Sequence, residues 1–384
     1  MTIPHDDLLR YRAEFPILSK KVYLNSCSLG ALSTRTRAAV NGFMDDWENW
    51  GASAWYRDWI GVLADTRREF AMLIGAGEHE IALLPSVSAA LGALASGMSS
   101  TFTERPEVIT TDLDFPTVHY LWQAWHREGV ELTVLPGNGV TVPLEQWEAS
   151  LSPRTALAMT SHVFFTSGAI QDVQVLTEMA HAQGALSVID AYQGTGQLPT
   201  DVKALGVDVL MTGGLKWLLG GPGIVYLYVR EGLIPRFEPL LTGWFANQHQ
   251  FAFDPNRFEY SSDARRFESG TPPLASVFAG RAGLQILNEI GPQRIRERTS
   301  ALLYDFIDRA RARGWDIRGA SMEPEQRAGI ALMNVADPTG LTAALKERNI
   351  ILDYRPGAIR YSTYFYNTVE ENTMLLEALD ELLR

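Results

Sequence analysis

Lys216 has the surroundings best suited to covalent chemistry anywhere in this chain. Only five lysines stand among its 33 lysines and arginines: Lys20, Lys21, Lys203, Lys216 and Lys346. Lys216 alone sits among glycines and large apolar residues, in Met211-Thr-Gly-Gly-Leu-Lys-Trp-Leu-Leu-Gly-Gly-Pro-Gly223. An ammonium held away from water loses its proton readily, and the neutral amine can form a Schiff base with an aldehyde. Flanking glycines let backbone approach a ligand closely. A second candidate is Asp190, which closes the apolar run Leu186-Ser-Val-Ile-Asp190 and is followed by Ala-Tyr-Gln-Gly-Thr-Gly196. Such a carboxylate can cap a helix or face a ligand. A third is the turn Pro85-Ser-Val-Ser-Ala-Ala90, between the apolar run Ile81-Ala-Leu-Leu84 and a small-residue helix over 91–98. Strand, serine turn and helix present free N–H groups and the positive end of a helix dipole, which hold an anion; a plain capping turn reads the same way. A lysine for an aldehyde, a carboxylate for a ring nitrogen and an anion site for a phosphate are the attachments that pyridoxal phosphate needs.

The elements that must position these groups follow from the pattern around them. Apolar runs at 108–111, 132–135, 156–159, 186–189, 209–211 and 224–229 alternate with helical stretches that include 118–128 and 173–183. That alternation predicts an α/β fold, a mostly parallel sheet of about seven strands covered on both faces, with ligands at the carboxyl ends of the strands. Lys216 and Asp190 then follow neighbouring strands and face the 86–90 turn. Ser33 is a plausible N-cap for a long helix through Val40, Phe43, Met44 and Trp47. Trp47, Trp50, Trp55 and Trp59 follow within thirteen positions, read as core or subunit interface ahead of a substrate wall. Periodicity weakens over 235–273, an aromatic, Arg- and Pro-rich stretch expected to form site or interface loops. Helices are expected at 274–290 and 294–313, then short strands and helices of an α+β cap. The predicted organisation is an N-terminal segment 1–30 packed with the small domain, a large cofactor-binding domain 31–255 and a small C-terminal domain 256–384.

Bulk properties narrow the function classes. At 384 residues the chain can bury a full sheet, and no apolar run approaches the length of a bilayer span. A net charge of -12 argues against a general nucleic-acid surface. The start lacks a basic-then-apolar leader and the single Cys27 cannot form an internal disulfide, so a cytoplasmic protein is expected. His119 and His126 are seven apart, His79-Glu80 lacks a second histidine, and neither a nucleophile elbow nor a phosphate-binding Lys-Ser/Thr loop occurs; no metal is expected.

Several short motifs carry a family likeness by their order: Asn25-Ser-Cys-Ser-Leu-Gly-Ala-Leu32, Asp114-Phe-Pro-Thr117, Gly220-Gly-Pro-Gly223 after the lysine, Gly243-Trp244, Thr271-Pro-Pro273, and Arg355-Pro-Gly-Ala-Ile-Arg360 with Tyr366-Asn367. Over nearly its whole length the chain resembles the class V aminotransferase group of fold-type I pyridoxal phosphate enzymes, and within it the kynureninases most closely. The resemblance implies that Lys216 and Asp190 are catalytic, Lys216 as Schiff-base lysine and α-proton base, Asp190 as partner of the pyridinium nitrogen. It places the phosphate at Ser88 with the N–H groups near Val87 and Ala89, stacks Phe115 on the ring and sets Gln193 near the ring hydroxyl, as in cysteine desulfurases. Trp244 and Thr271 would reach the phosphate of a neighbouring subunit, which implies a homodimer. Arg360 would clamp the α-carboxylate of an amino acid substrate, with Asn25 as a second substrate contact. Three positions depart from the kynureninase pattern: Leu215 replaces a tyrosine, Val118 an aspartate and Gln193 a histidine. Cys27 does not match the small-domain thiol of a cysteine desulfurase. The expectation is an amino-acid enzyme of kynureninase-like or aminotransferase-like type. C–S lyase, desulfurase-like or epimerase activity, and a non-catalytic binding protein of the same fold, stand as alternatives.

Overall fold

The computed structural model describes residues 3–383. In chain order its strands are β1 (Val22–Tyr23), β2 (Ile81–Leu84), β3 (Glu107–Thr111), β4 (Glu131–Leu135), β5 (Thr155–Ser161), β6 (Leu186–Asp190), β7 (Val209–Gly213), β8 (Val225–Val229), β9 (Ile330–Asn334), β10 (Ile350–Ile351), β11 (Asp353–Arg355) and β12 (Ala358–Ser362). Seven of them form one sheet in the order β2-β8-β7-β6-β5-β3-β4. β8 runs antiparallel to both neighbours, and the other pairs are parallel. This is the mostly parallel α/β sheet expected from the alternation of apolar runs and helices.

Every residue of β5, β7 and β8 is buried, because both faces of the sheet meet helices. Val188, Val209, Met211 and Leu227 share one core with Leu91 and Leu94 of the Val87–Ser96 helix and with Val118 and Trp122 of Pro116–Trp125. Ile189, Leu210, Tyr226 and Tyr228 point the other way, into a core with Phe70 and Ile74 of Ile60–Ile74 and Val277, Leu284 and Leu287 of Leu274–Ile290. Each such side chain contributes ~2 kcal/mol through the apolar area it loses to water. That two-sided burial is the reason these strands read as continuous apolar runs rather than alternating ones. β4, at the edge, is partly exposed. No helix among the described residues is long and apolar enough to cross a membrane.

β9, β11 and β12 form a separate antiparallel sheet whose register sets Arg360 opposite Asp353 on one side and Leu332 on the other. The N-terminal segment is bound into this region. β1 pairs in parallel with β10, Ser362 N–H donates to Leu24 O at 3.0 Å, and Arg12 pairs with Glu371 at 2.7 Å.

Local structure departs from the sequence reading at one helix start and is irregular at two other places. The helix after β2 begins at Val87, not Leu91, with Ser86 as N-cap accepting from Ala89 N–H; small Ala, Gly and Ser residues blur the apolar period that marks a helix start. The first helical segment is a 3-10 helix, Asp6–Glu14. Between Trp50 and Ile60 the chain makes a 3-10 turn and then a π-helix, Trp55–Trp59, after Gly51 at φ 49°. Only Trp59 of the four clustered tryptophans is fully core; Trp47 and Trp50 are exposed in the single chain.

Candidate active site

β6 and β7 are parallel neighbours with Asp190 opposite Met211, so Asp190 ends one strand beside the loop that begins at the end of the next. That loop, Gly214 to Ile224, carries Lys216 and is held from four sides. Gly30 N–H donates to Leu215 O at 2.9 Å, Trp217 Nε1 donates to Gln193 Oε1 at 2.8 Å, and the Tyr364 hydroxyl lies 2.7 Å from Trp217 O. From the fourth side the Leu274–Ile290 helix lies so close that a Cβ on Gly283 would stand 2.1 Å from Leu218 O. Within the loop, Leu219 takes φ 59° and Gly221 and Gly223 take φ 72° and 96°, left-handed turns that fold the chain back under the lysine.

Lys216 opens into a cavity of about 360 Å³. Its walls are Pro85 to Ser88 at the helix N-terminus, Phe115 and Thr117 after β3, Ser161, Val163 and Phe165 after β5, Asp190, Tyr192 and Gln193 after β6, and Leu215, Lys216 and Pro222 to Val225. All but the last stretch follow the carboxyl ends of strands, the place where an α/β sheet collects ligands.

The electrostatics of the pair set it apart from a surface lysine and carboxylate. Lys216 Nζ lies 4.6 Å from the centre of the Tyr192 ring and 6.0 Å from that of Phe115, and it makes no ion pair among the described residues. Burial first, and then the Arg360 guanidinium, lower its pKa from 10.5 to about 8. Burial raises Asp190 to about 6, against the opposing pull of the Tyr192 N–H and the Lys216 charge. Its Oδ1 accepts that N–H at 2.9 Å. The neighbouring Asp114 is buried too, but its carboxylate is saturated by Thr110, Thr111, Thr160 and Ser161 N–H, which tie the β3 and β5 ends together under Phe115. An amine that gives up its proton near neutrality, a buried carboxylate and the open N–H groups of Val87 and Ser88 in a helix's first turn are a donor set that fits an aldehyde, a basic ring nitrogen and a phosphate on one molecule.

Lys216, Asp190, Val87, Ser88, Phe115 and Gln193 therefore meet in one cavity. Gln193 is fixed in orientation, its Nε2 donating to Cys27 O at 3.0 Å while Oε1 accepts from Trp217. Ala89 is not in the cavity wall; its N–H is taken by Ser86 Oγ at 3.1 Å, and Ser86 lines the cavity in its place. Arg360 stands behind Phe165. Its guanidinium donates to Asp353 Oδ2 at 2.8 Å and Ser28 Oγ at 2.6 Å, while its buried Nε has no partner. Arg355 shares Asp353 at 2.8 Å. Asn25 lies outside the cavity, closing the turn to Ser28 and bridging to Ser362. Trp244 and Thr271 also lie outside it: Trp244 packs on Trp55, Phe245 and Phe253, and Thr271 is exposed. Val118, at a departing position, is fully buried core.

Sequence reasoning did not single out Tyr192, Phe165, Thr117 and Asp353. Tyr192 carried a usable signal, since residues two positions apart in extended chain share a face, which directs Tyr192 to the same side as Asp190. Phe165 and Asp353 carried none, because a loop after β5 and a strand of the other sheet, distant in sequence from the lysine, bring them in.

The aminotransferase class-V family model matches residues 51–375. A protein of Bacillus subtilis (strain 168) described as an uncharacterized aminotransferase, YcbU, is 35% identical over 97% of this chain and 96% of its own length. The kynureninase of Shouchella clausii (strain KSM-K16) is 28% identical over 99% of this chain and 92% of its own. Among solved structures, the apo cysteine desulfurase of Thermococcus onnurineus NA1 superposes with a TM-score of 0.87 over 100% of this chain and 98% of its own, at 24% identity, which establishes a common fold. With the family match spanning most of the chain and a curated relative above 30% identity end to end, this chain belongs to the class V aminotransferase family and has the fold of the fold-type I pyridoxal phosphate enzymes.

Proposed function

We propose that this chain is a pyridoxal phosphate-dependent enzyme that works at the α-carbon of an amino acid, with Lys216 as its covalent anchor and proton carrier. The observation that carries the reading is the pairing of Lys216 and Asp190 in one cavity with the first turn of the Val87–Ser96 helix. Bound there, pyridoxal phosphate supplies an aldehyde for amines and an electron sink for a bond broken at Cα. The residues do the rest. Lys216, with its lowered pKa, takes a proton from Cα and returns it. Asp190, kept out of water, would pair with the ring nitrogen and favour its protonated form. Val87 and Ser88 N–H groups would hold the phosphate, and Phe115, in the cavity wall, would cover the ring. Arg360 receives the substrate carboxylate, which would satisfy its orphaned Nε.

The return point of the proton distinguishes the outcomes: the cofactor carbon gives transamination, Cα gives epimerisation, and loss of a Cβ group gives a lyase or hydrolase. Transamination and kynureninase-like cleavage are favoured by the two curated relatives. Desulfurase chemistry is disfavoured because the only thiol, Cys27, is fully buried beneath Gln193. We also infer a homodimer, from the exposed aromatic face around Trp47, Tyr56, Trp244 and Phe253, and a cytoplasmic setting, which suits one unpaired cysteine.

The test is reconstitution with pyridoxal phosphate, borohydride reduction and peptide mapping. A yellow protein whose reduced adduct maps to Lys216 is expected; an adduct on another lysine, or no binding, sinks the reading. Asp190→Ala should then lower turnover by about a hundredfold or more while Asp190→Glu loses far less, since only the former removes the charge on the ring nitrogen.

A further inference from the structure

Tyr192 has a place in the cavity that packing alone does not explain. Its phenol leans from the end of β6 onto Gly213, the last residue of β7, so closely that a Cβ on Gly213 would lie 2.2 Å from both its Cζ and its hydroxyl. The hydroxyl thus fills the space that any side chain at 213 would take. Gly213 pairs with Val225, and Val225 with Leu84, so the three form a row across β7, β8 and β2 that ends where the Pro85 to Ser88 turn begins. Tyr192 leans onto the first residue of that row, away from its own strand, and lines the same cavity as the Pro85 to Ser88 turn. Its backbone N–H is held by Asp190, but its hydroxyl bonds to no other described residue. Burial pushes the phenol up to about 12, so the hydroxyl is a donor throughout the physiological range.

We propose that the Tyr192 hydroxyl, admitted by Gly213, donates to the phosphate of the cofactor and completes, with Val87 and Ser88, the anion end of the site. This rests on the reading of pyridoxal phosphate as the cofactor. Tyr192 is a binding residue on this account, reaching one strand across because the residue nearest the phosphate on β7 has no side chain of its own.

The experiment compares binding of pyridoxal phosphate and of phosphate-free pyridoxal to apoprotein by absorbance titration. Tyr192→Phe keeps the ring and should weaken pyridoxal phosphate about tenfold, the loss of one hydrogen bond to a charged group, with pyridoxal unchanged. Gly213→Ala should do the same by displacing the phenol. Tyr192→Ala combined with Gly213→Ser should recover phosphate preference over Tyr192→Ala alone, because the serine side chain then occupies the place of the lost hydroxyl. Near-ultraviolet circular dichroism matching wild type shows that each variant is folded. Equal weakening of both ligands, or no weakening of pyridoxal phosphate, overturns the proposal and leaves Tyr192 as a partner of Lys216 only. A wild-type apoprotein that binds neither ligand overturns the cofactor reading and this proposal with it, and that outcome is visible before any variant is made.

Discussion

Lys216 is a stability liability that its chemistry requires. Its pKa falls from 10.5 in the unfolded chain to about 8 in the fold. Between those values the unfolded chain holds a proton that the folded chain has released, so wild-type apoprotein should gain stability as pH rises through that window. Below it the folded chain carries a buried ammonium at a cost. Lys216→Met removes that cost, and the apo variant should melt above wild type at pH 7 by a margin worth ~1–2 kcal/mol that shrinks by pH 10. Calorimetry at the two pH values checks this; a wild type that melts higher at pH 7 would mean that the charge is compensated. The neighbouring Leu215 bears on substrate choice. It lines the cavity, yet it can neither donate nor accept a hydrogen bond where the kynureninase pattern has a tyrosine. Anthranilate release from kynurenine should therefore be slow or absent, while some other amino acid perturbs the cofactor spectrum. A panel of amino acids with anthranilate, ammonia, pyruvate and keto-acid assays decides it, and efficient anthranilate production refutes the weight placed on Leu215.

At the scale of elements, close backbone contacts position the lysine loop, alongside the hydrogen bond from its own Trp217 to Gln193. Gly280 and Gly283 let the Leu274–Ile290 helix lie directly on residues 218–220, and a Cβ on Gly30 would stand 2.2 Å from Lys216 O. Gly283→Val should cost ~1–3 kcal/mol of stability through overpacking, and it should also lower the yield of borohydride-fixed cofactor, since the displaced carbonyl of Leu218 is two residues from the anchor. Thermal melts and adduct quantification test both; a destabilised variant with full adduct would separate the helix contact from the site. Helix and strand types were legible from periodicity, because the two-sided burial of β5 to β8 imposes continuous apolar runs. The start at Val87 was not, since capping by Ser86 depends on one hydroxyl and on residues too small to mark a period. The pairing of β1 with β10 was equally hidden, for two-residue strands carry no pattern.

For the whole molecule, the outstanding surface feature is an aromatic face. Trp55 packs on Trp244, Tyr56 on Phe251, and Trp244 stacks with Phe253, while Tyr56 and Phe253 remain about 70% exposed. Gly243 approaches Ser269 O closely enough to place Trp244 and the 269–271 stretch side by side on this face. Phe253→Glu should convert a dimer to monomers in sedimentation analysis. Mixed Lys216→Ala and Thr271→Trp chains, each inactive alone, should regain about a quarter of wild-type activity if each site draws on both subunits. A monomeric wild type, or a silent mixture after proven exchange, removes shared sites from the account.

From sequence alone the chemistry was already bounded. A lone lysine among glycines, a carboxylate ending the preceding strand and a serine turn opening a helix lie near their own strands, and β–α alternation forces such strand ends to one edge of a parallel sheet. Local pattern is sufficient there because the connections are short and their handedness leaves little freedom. Tertiary structure alone decided the rest: that Asp353 and Arg355 share the neighbourhood of Arg360, that Phe165 faces Phe115, that Gln193 is pinned by Trp217, and that Gly213 makes room for Tyr192. Those relations join different strands and the loops that follow them, and no periodicity in one segment encodes the distance to another.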